Sequence, residues 1–324
     1  MPKAARVAAG PAQRPAPPGP VAPLRSGVLA GALGAVVLWG LAPVATRALV
    51  AQLAPLPLLV LRMGLAGLVL LPWAWPVWRG LSLRQAGRLV AAGLLGMVGY
   101  TLPVTAGLQW LPASTAGLLL ASEPIWVMLI GRIFLAERLA ARAWLGSAAA
   151  LAGVGLLAGP EALTGAAGPA GLRELGGAGL VLAGTLAFAG YTIVLRPLSV
   201  SCGALPATAA ATVVGAIPFL AFAGTVSVPQ LAQLPGSAWG QLAFLALGSS
   251  VAGMVMWNRA VAAAGSARVS LLLYLEPVVS VAGAVLLLGE TVTLVMIGAG
   301  LLILLGVAVA SAATGGAKLP PETG

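Results

Sequence analysis

The sequence predicts an all-α membrane protein, with ten transmembrane helices arranged as two inverted five-helix repeats. Three observations carry that expectation. First, the chain of 324 residues is 60% hydrophobic and only 7% charged, whereas a water-soluble domain carries roughly 25% charged residues. So few charges cannot cover a surface that faces water, and lipid must be the main solvent. Second, the apolar residues fall in continuous runs, each near the ~20 residues that cross a bilayer as a helix. They do not alternate as barrel strands do, and backbone groups in hydrocarbon must be satisfied within their own segment. Third, one costly pattern occurs twice. Glu123 stands in the apolar stretch 115–138, Pro124 follows at once, and Glu137 closes the stretch fourteen residues on. The arrangement returns 153 residues downstream, where Glu276 precedes Pro277 and Glu290 follows after fourteen residues. Laying 113–137 over 266–290 gives seven identities in 25 positions, among them both glutamates and the proline, in a chain with only seven acidic residues.

The elements follow in order. Residues 1–26 are rich in Pro and Ala and hold Lys3, Arg6, Arg14 and Arg25, which reads as a disordered basic cytoplasmic tail. A signal peptide also begins with positive charge, but the run starting at Gly27 is too long for its apolar core, and more spans follow. Spans at 27–49, 55–76, 88–108, 113–135 and 143–159 make the first repeat, 27–159. The stretch 160–175, with Glu161, Arg173 and Glu174, reads as an extracytoplasmic linker. Spans at 176–196, 204–225, 238–262, 266–288 and 292–312 make the second repeat, 176–312, and 313–324 is a cytoplasmic tail.

Lys and Arg set the orientation. With the N-terminus inside, twelve of them collect on the inner side and Arg173 alone on the outer loops. That places both termini in the cytoplasm and the chain in the cytoplasmic membrane as a multi-pass protein. Trp73, Trp75 and Trp78 suit an inner aromatic belt, and Trp110 and Trp239 an outer one. Five helices per repeat is an odd number, so the second copy enters the membrane upside down. Inverted repeats of this kind build many secondary transporters, with the substrate near the bilayer midplane between the copies.

Composition also excludes chemistries. The chain has no Asp, no His and one Cys, which leaves no disulfide framework, no thiolate metal site and no hydrolytic triad. No GxxxxGK[ST] loop cradles a phosphate. Neither an enzyme, a cofactor nor a metal is expected. The net charge of +10 lies in short gaps between apolar runs rather than on one face, which argues against nucleic acid as a partner.

Candidate functional residues are those that hydrocarbon penalises. Glu123 and Glu276 lie about ten residues into their spans, where a charge costs roughly 2.5–3.5 kcal/mol or more. Each must face a cavity or a partner, or carry a proton; the plainer account is a helix kink with a carboxyl group hydrogen-bonded between helices. Pro124 and Pro277 cannot donate to the carbonyls of Leu120 and Leu273, which leaves an acceptor beside each carboxyl group. Glu137 and Glu290, roughly 21 Å further along the axis, pass the ~15 Å half-thickness of the hydrocarbon. They are expected at opposite surfaces, ending helices and contacting nearby basic residues. Arg62 either snorkels to the outer interface or pairs with a buried carboxylate or an anionic substrate group; Arg47, near an outer helix end, is expected to snorkel. Trp39, Tyr100, Thr101, Trp126, Tyr191, Trp257 and Tyr274 can build an aromatic, hydroxyl-bearing pocket or simply pack the core. Gly27/Gly31 and Gly93/Gly96 permit close helix approach.

Four pieces carry a family resemblance: WGLAPVATR in the first span, LRMGLAGLVLL in the second, ASTAGLLLASEPIWVMLIGRIFLAER around the fourth, and WNRAVAAAGSARVSLLLYLEPVVSVAGAVLLLGE across the eighth and ninth. The chain resembles the EamA family of the drug/metabolite transporter superfamily from about Gly27 to Ala310. The resemblance implies ten helices, cytoplasmic termini and transport of small metabolites, often by export. It points at Trp39, Arg62, Glu123, Pro124, Glu276 and Pro277. One departure is visible: the place corresponding to Arg62 in the second half is the Ala-rich stretch 207–211, so any Arg–Glu pairing belongs to the first half. The expected function is secondary transport of small polar or amphipathic metabolites, amino acids foremost and drugs among the open classes, by alternating access and in the export direction. The partners are a small-molecule substrate and the lipid bilayer. Proton coupling, with Glu123 or Glu276 as carrier, and a homodimer stay open. The alternatives are a passive facilitator or lipid-handling protein of the same architecture, which needs no titrating carboxylate, and a membrane scaffold.

Overall fold

The computed structural model describes residues 26–123, 125–126, 129–130, 141–158, 168–264 and 270–314. All regular structure among them is helical. Helix α1 (Ser26–Gly40) runs into α2 (Ala42–Val50), with Pro43 in the first turn of α2, where its missing N–H costs nothing. Helix α3 (Pro55–Trp78) opens with Pro55 and Pro57. Helix α4 (Leu83–Gly93) begins at a capping box in which Ser82 and Gln85 satisfy each other's backbone N–H groups. It continues through a π-helix, Leu94–Tyr100, into α5 (Thr101–Gly107). Then come α6 (Ala113–Leu120), α7 (Ala141–Ala158) and α8 (Pro169–Cys202).

The second half repeats the pattern. Helix α9 (Ala204–Leu220) is followed by a short α10 (Val228–Ala232) and by α11 (Gly236–Ala243). Helix α11 also passes through a π-helix, Phe244–Gly253, into α12 (Met254–Ala264). A 3₁₀ stretch, Ser270–Leu275, leads into α13 (Glu276–Leu288), and α14 (Leu294–Thr314) ends the described chain. Among the described residues five helical stretches are long and apolar enough to cross a membrane: Ser26–Val50, Pro55–Trp78, Leu83–Gly107, Pro169–Cys202 and Gly236–Ala260. Large side chains on these helices and on α13 and α14 stand exposed, Leu68, Leu286 and Leu305 among them, as lipid contact requires and water would not allow. The exposed Trp73, Trp75, Trp110 and Trp239 sit at the ends of the helical stack.

The two halves interlock. Helix α3 packs on α9, α6 on α13, α7 on α14, α1 on α12, and α5 on α8. Exchanging the halves maps this set of pairs onto itself, which is the three-dimensional form of the duplication. Small residues make the approaches close. A Cβ on Gly93 would meet the Ala211 carbonyl oxygen at 2.8 Å, and one on Gly153 the Ala299 carbonyl oxygen at 2.7 Å. Gly96 is equally necessary, but Gly27 faces open space, so the first member of the Gly27/Gly31 pair does not mediate packing.

Several boundaries move from the sequence expectation. The helix expected from 88 starts at Leu83, because the Ser82–Gln85 box nucleates it. The one expected at 176–196 spans Pro169–Cys202, so Arg173 and Glu174 lie on a helix rather than in a loop. Glu290 also differs. It contacts no basic residue among those described; its carboxylate binds the backbone at the start of α6. Glu137 and Pro124 lie outside the described residues.

Candidate functional site

Helix breaks stand beside Glu123 and at the Glu276–Pro277 pair. Helix α6 ends at Leu120, and Glu123 follows after the turn at Ala121 and Ser122. Glu276 is the first residue of α13, with Pro277 buried in its first turn and the 3₁₀ stretch behind it. A proline there fits because it cannot donate backwards and its φ suits a helix start. The carbonyl-bearing residues left behind, Leu120 and Leu273, both line the same cavity as Glu123 and Glu276. Discontinuous helices of this kind place polar backbone where it faces a cavity rather than lipid.

That cavity, about 460 Å³, lies between the two halves. It runs from Thr46, Thr105 and Leu108 at one end to Ser199 and Ala204 at the other, with Glu123, Glu276 and Arg62 between. Arg62 does not snorkel. It is on α3, reaches into the cavity, and donates from Nε to Ser250 Oγ (3.3 Å), while Ser250 Oγ donates to the Leu245 carbonyl (2.9 Å). That carbonyl is five residues back, the offset at which a π-helix stacks one residue over another. Among the described residues no ion pair joins Arg62 to Glu123 or Glu276, and its terminal nitrogens have no partner. The terminal edge of the Arg62 fork, which lines the cavity, therefore has no partner among the described residues.

Two aromatic groups flank it. Trp39 stacks at a tilt on Trp257 (5.3 Å between centroids) and donates its indole N–H to the Ser249 carbonyl (3.0 Å). Gly253 permits this, since a Cβ there would meet Trp39 Nε1 at 2.8 Å. Opposite, Tyr100, Phe188 and Tyr191 form a chain of tilted rings at 4.9 and 5.1 Å. Here Gly96 makes the room, as a Cβ would meet Tyr191 Cδ2 at 2.6 Å. The two arrangements mirror each other: an aromatic of α1 against the second π-helix, an aromatic of α8 against the first.

The structure thus gathers Glu123, Glu276, Trp39, Arg62, Tyr100, Thr101, Tyr191 and Trp257 around one space. Trp126 is not in its lining; the indole donates to Ser122 Oγ (3.3 Å), which in turn donates to the Leu119 carbonyl. Tyr274 belongs to the 3₁₀ stretch, and its side chain is outside the described set. Sequence reasoning did not single out Phe188, Thr105, Thr208 or Thr212 as lining, nor Ser249 and Ser250. Their signal is faint: isolated hydroxyls in apolar runs, most of which satisfy themselves on a carbonyl of the preceding turn, as Thr208 and Thr212 do. Thr101 does the same on Met97. Among the described residues no cluster of ligands could hold a metal ion.

Comparison with known proteins agrees with this architecture. The model of the EamA-like transporter family matches residues 25–159 and again 175–312. The chain belongs to the EamA-like transporter family. It is a multi-pass membrane protein built from two repeats of that family's unit. An uncharacterised transporter of Bacillus subtilis (strain 168), YyaM, is 24% identical over 207 residues, 62% of this chain and 66% of that one. A protein of Streptantibioticus cattleyicolor named as a probable terminal-alkyne amino-acid exporter is 30% identical over 179 residues, 55% of this chain and 57% of that protein. An uncharacterised transporter of Archaeoglobus fulgidus is 26% identical over 225 residues, 68% and 76% of the two chains. The chain therefore spans just under two thirds of the first of these relatives and little over half of the second. A solved crystal structure superposes with a TM-score of 0.54 at 24% identity, covering 88% of this chain and 96% of that one, which shows the shared fold alone.

Proposed function

We propose that this family member is a secondary transporter for small amphipathic metabolites that carry a carboxylate, amino acids and related zwitterions foremost. It has ten spans in two inverted five-helix repeats, joined outside the cell by the stretch from 160 to the start of α8. Both termini face the cytoplasm, and substrate moves outward by alternating access. In this orientation the cavity end at Ser199 and Ala204 is the cytoplasmic one, and the end at Leu108 is outer.

The observation that carries this reading is the Arg62 guanidinium, whose terminal nitrogens have no partner among the described residues, inside an aromatic cavity that also holds two carboxyl groups. Arg presents a planar fork that fits a carboxylate through two hydrogen bonds. Glu123 and Glu276 offer acceptors to an ammonium group, and the Trp39–Trp257 and Tyr100–Phe188–Tyr191 walls cover an apolar body. The cavity volume falls within the ~300–1,000 Å³ of small-molecule sites. Proton coupling fits the same groups, since Glu123 and Glu276 are the two in the cavity that can take up and release a proton across one transport cycle. The naming of the Streptantibioticus relative as an amino-acid exporter supports the substrate class.

The test is counterflow of radiolabelled amino acids in proteoliposomes, with amines and carboxylates of matched size as controls. Uptake of zwitterions and none of amines lacking the carboxylate supports the proposal. Equal uptake of both, or of neither, refutes it. Transport that is fully active and indifferent to an imposed pH gradient would make the protein a passive facilitator.

A further inference from the structure

One charged group outside the cavity has no part in substrate binding as described above, yet it joins the two halves. Helix α13 ends at Gly289 in the left-handed conformation (φ 67°), which glycine adopts without strain. The chain hooks back there, and the Glu290 N–H donates to the Ala284 carbonyl (3.2 Å). This fixes the Glu290 carboxylate over the N-terminus of α6, in the other repeat. Its Oε1 accepts from the Ala113 N–H (2.7 Å), and its Oε2 from the Ser114 N–H (3.0 Å) and the Ser114 hydroxyl (2.6 Å).

Helix α6 has no capping side chain of its own, because its N-cap is Pro112. The first N–H groups of a helix need an acceptor and attract negative charge. Here the acceptor is supplied across the interface, so the cap exists only while the halves are closed at this end. Ser280 adds a bond to the Ala113 carbonyl (3.3 Å). Within the first repeat the same face is tied by Arg47, whose Nη1 donates to the carbonyls of Leu108 (2.7 Å) and Gln109 (2.6 Å) just beyond α5. Leu108 itself lines the cavity, so this tie forms part of its roof.

We propose that the Glu290 cap on α6 is the outer latch of the transport cycle. It ties the two repeats together at the outer end, and it must break for that end to open and substrate to leave. The idea rests on the alternating-access reading but on no particular substrate.

The test reads the access of a reporter cysteine rather than transport. In a full-length chain with Cys202→Ala, Thr105→Cys reports the outer half of the cavity and Ser199→Cys the inner rim. A membrane-impermeant maleimide is applied to right-side-out and inside-out vesicles, with no substrate present. Glu290→Gln, Glu290→Ala and Ser114→Ala are compared with the parent. The labelling rate at Thr105→Cys from outside should rise about tenfold in Glu290→Ala, the population shift that loss of a charge-assisted hydrogen bond produces. It should rise less in Glu290→Gln and Ser114→Ala, and labelling at Ser199→Cys from inside should fall in step. Unchanged outer labelling, or a rise at both positions together, overturns the latch. Because no substrate is used, a wrong substrate class leaves this result standing.

Discussion

Removal of the Arg62 fork tests the site most directly. Its Nε is anchored on Ser250 at 3.3 Å, while its terminal nitrogens find no partner among the described residues. A substrate carboxylate that takes both nitrogens gains two charge-assisted hydrogen bonds, each worth about 1.5–3 kcal/mol net. Counting both at the low end, Arg62→Ala should cost about 3 kcal/mol, roughly 150-fold in Kd. Arg62→Lys keeps the charge but loses the fork, and should cost about half of that, roughly tenfold. Ser250→Ala removes only the anchor, and should weaken binding less than either. The assay is isothermal titration of the purified protein with an amino acid that passes the counterflow screen, beside the same compound with its carboxylate replaced by hydrogen. The analogue should bind the parent weakly and lose less than about threefold further in Arg62→Ala, since two changes that remove one contact do not add. If the analogue suffers as much from Arg62→Ala as the full compound does, Arg62 shapes the cavity rather than binding the carboxylate, and the reasoning fails.

Other consequences are as direct. Glu123→Gln and Glu276→Gln should each be tested for pH-gradient stimulation of uptake in proteoliposomes; at least one should abolish it, and stimulation that survives in both and in the double variant would remove the carboxyl groups from proton coupling. Gly93→Ala places a methyl group against the Ala211 carbonyl oxygen and Gly215 backbone, so helices α4 and α9 must separate. A loss of about 1–3 kcal/mol is expected, read as a lower Tm in detergent, and an unchanged Tm would show that this packing yields. Trp39→Phe keeps a ring beside Trp257 but removes the N–H that Ser249 accepts, a loss of about 1 kcal/mol. It should lower Tm slightly and shift the tryptophan fluorescence of the cavity, and neither change would show that the bond contributes nothing.

What the sequence alone determined is the class and the plan. A chain this poor in charge can only live in lipid, and hydrocarbon makes each retained glutamate or arginine conspicuous. Glu123, Glu276 and Arg62 could be read at sight because burying them is expensive. The duplication was legible for the same reason, since a costly Glu–Pro followed by a second Glu is not repeated by chance in so apolar a chain. Tertiary structure decided what each residue faces. No pattern in a nearly uniform apolar run says which side of a helix meets lipid, so Trp126 looked equal to Trp39, and Gly27 equal to Gly93. The paired π-helices were hidden as well, because they arise where Gly96 and Gly253 let an aromatic ring from the other half press against the backbone. Glu290 was visible as a helix-ending acid, but its acceptor role at Ala113 and Ser114 depends on residues 176 positions away or more. Only the packing of one repeat against the other brings those groups within hydrogen-bond reach.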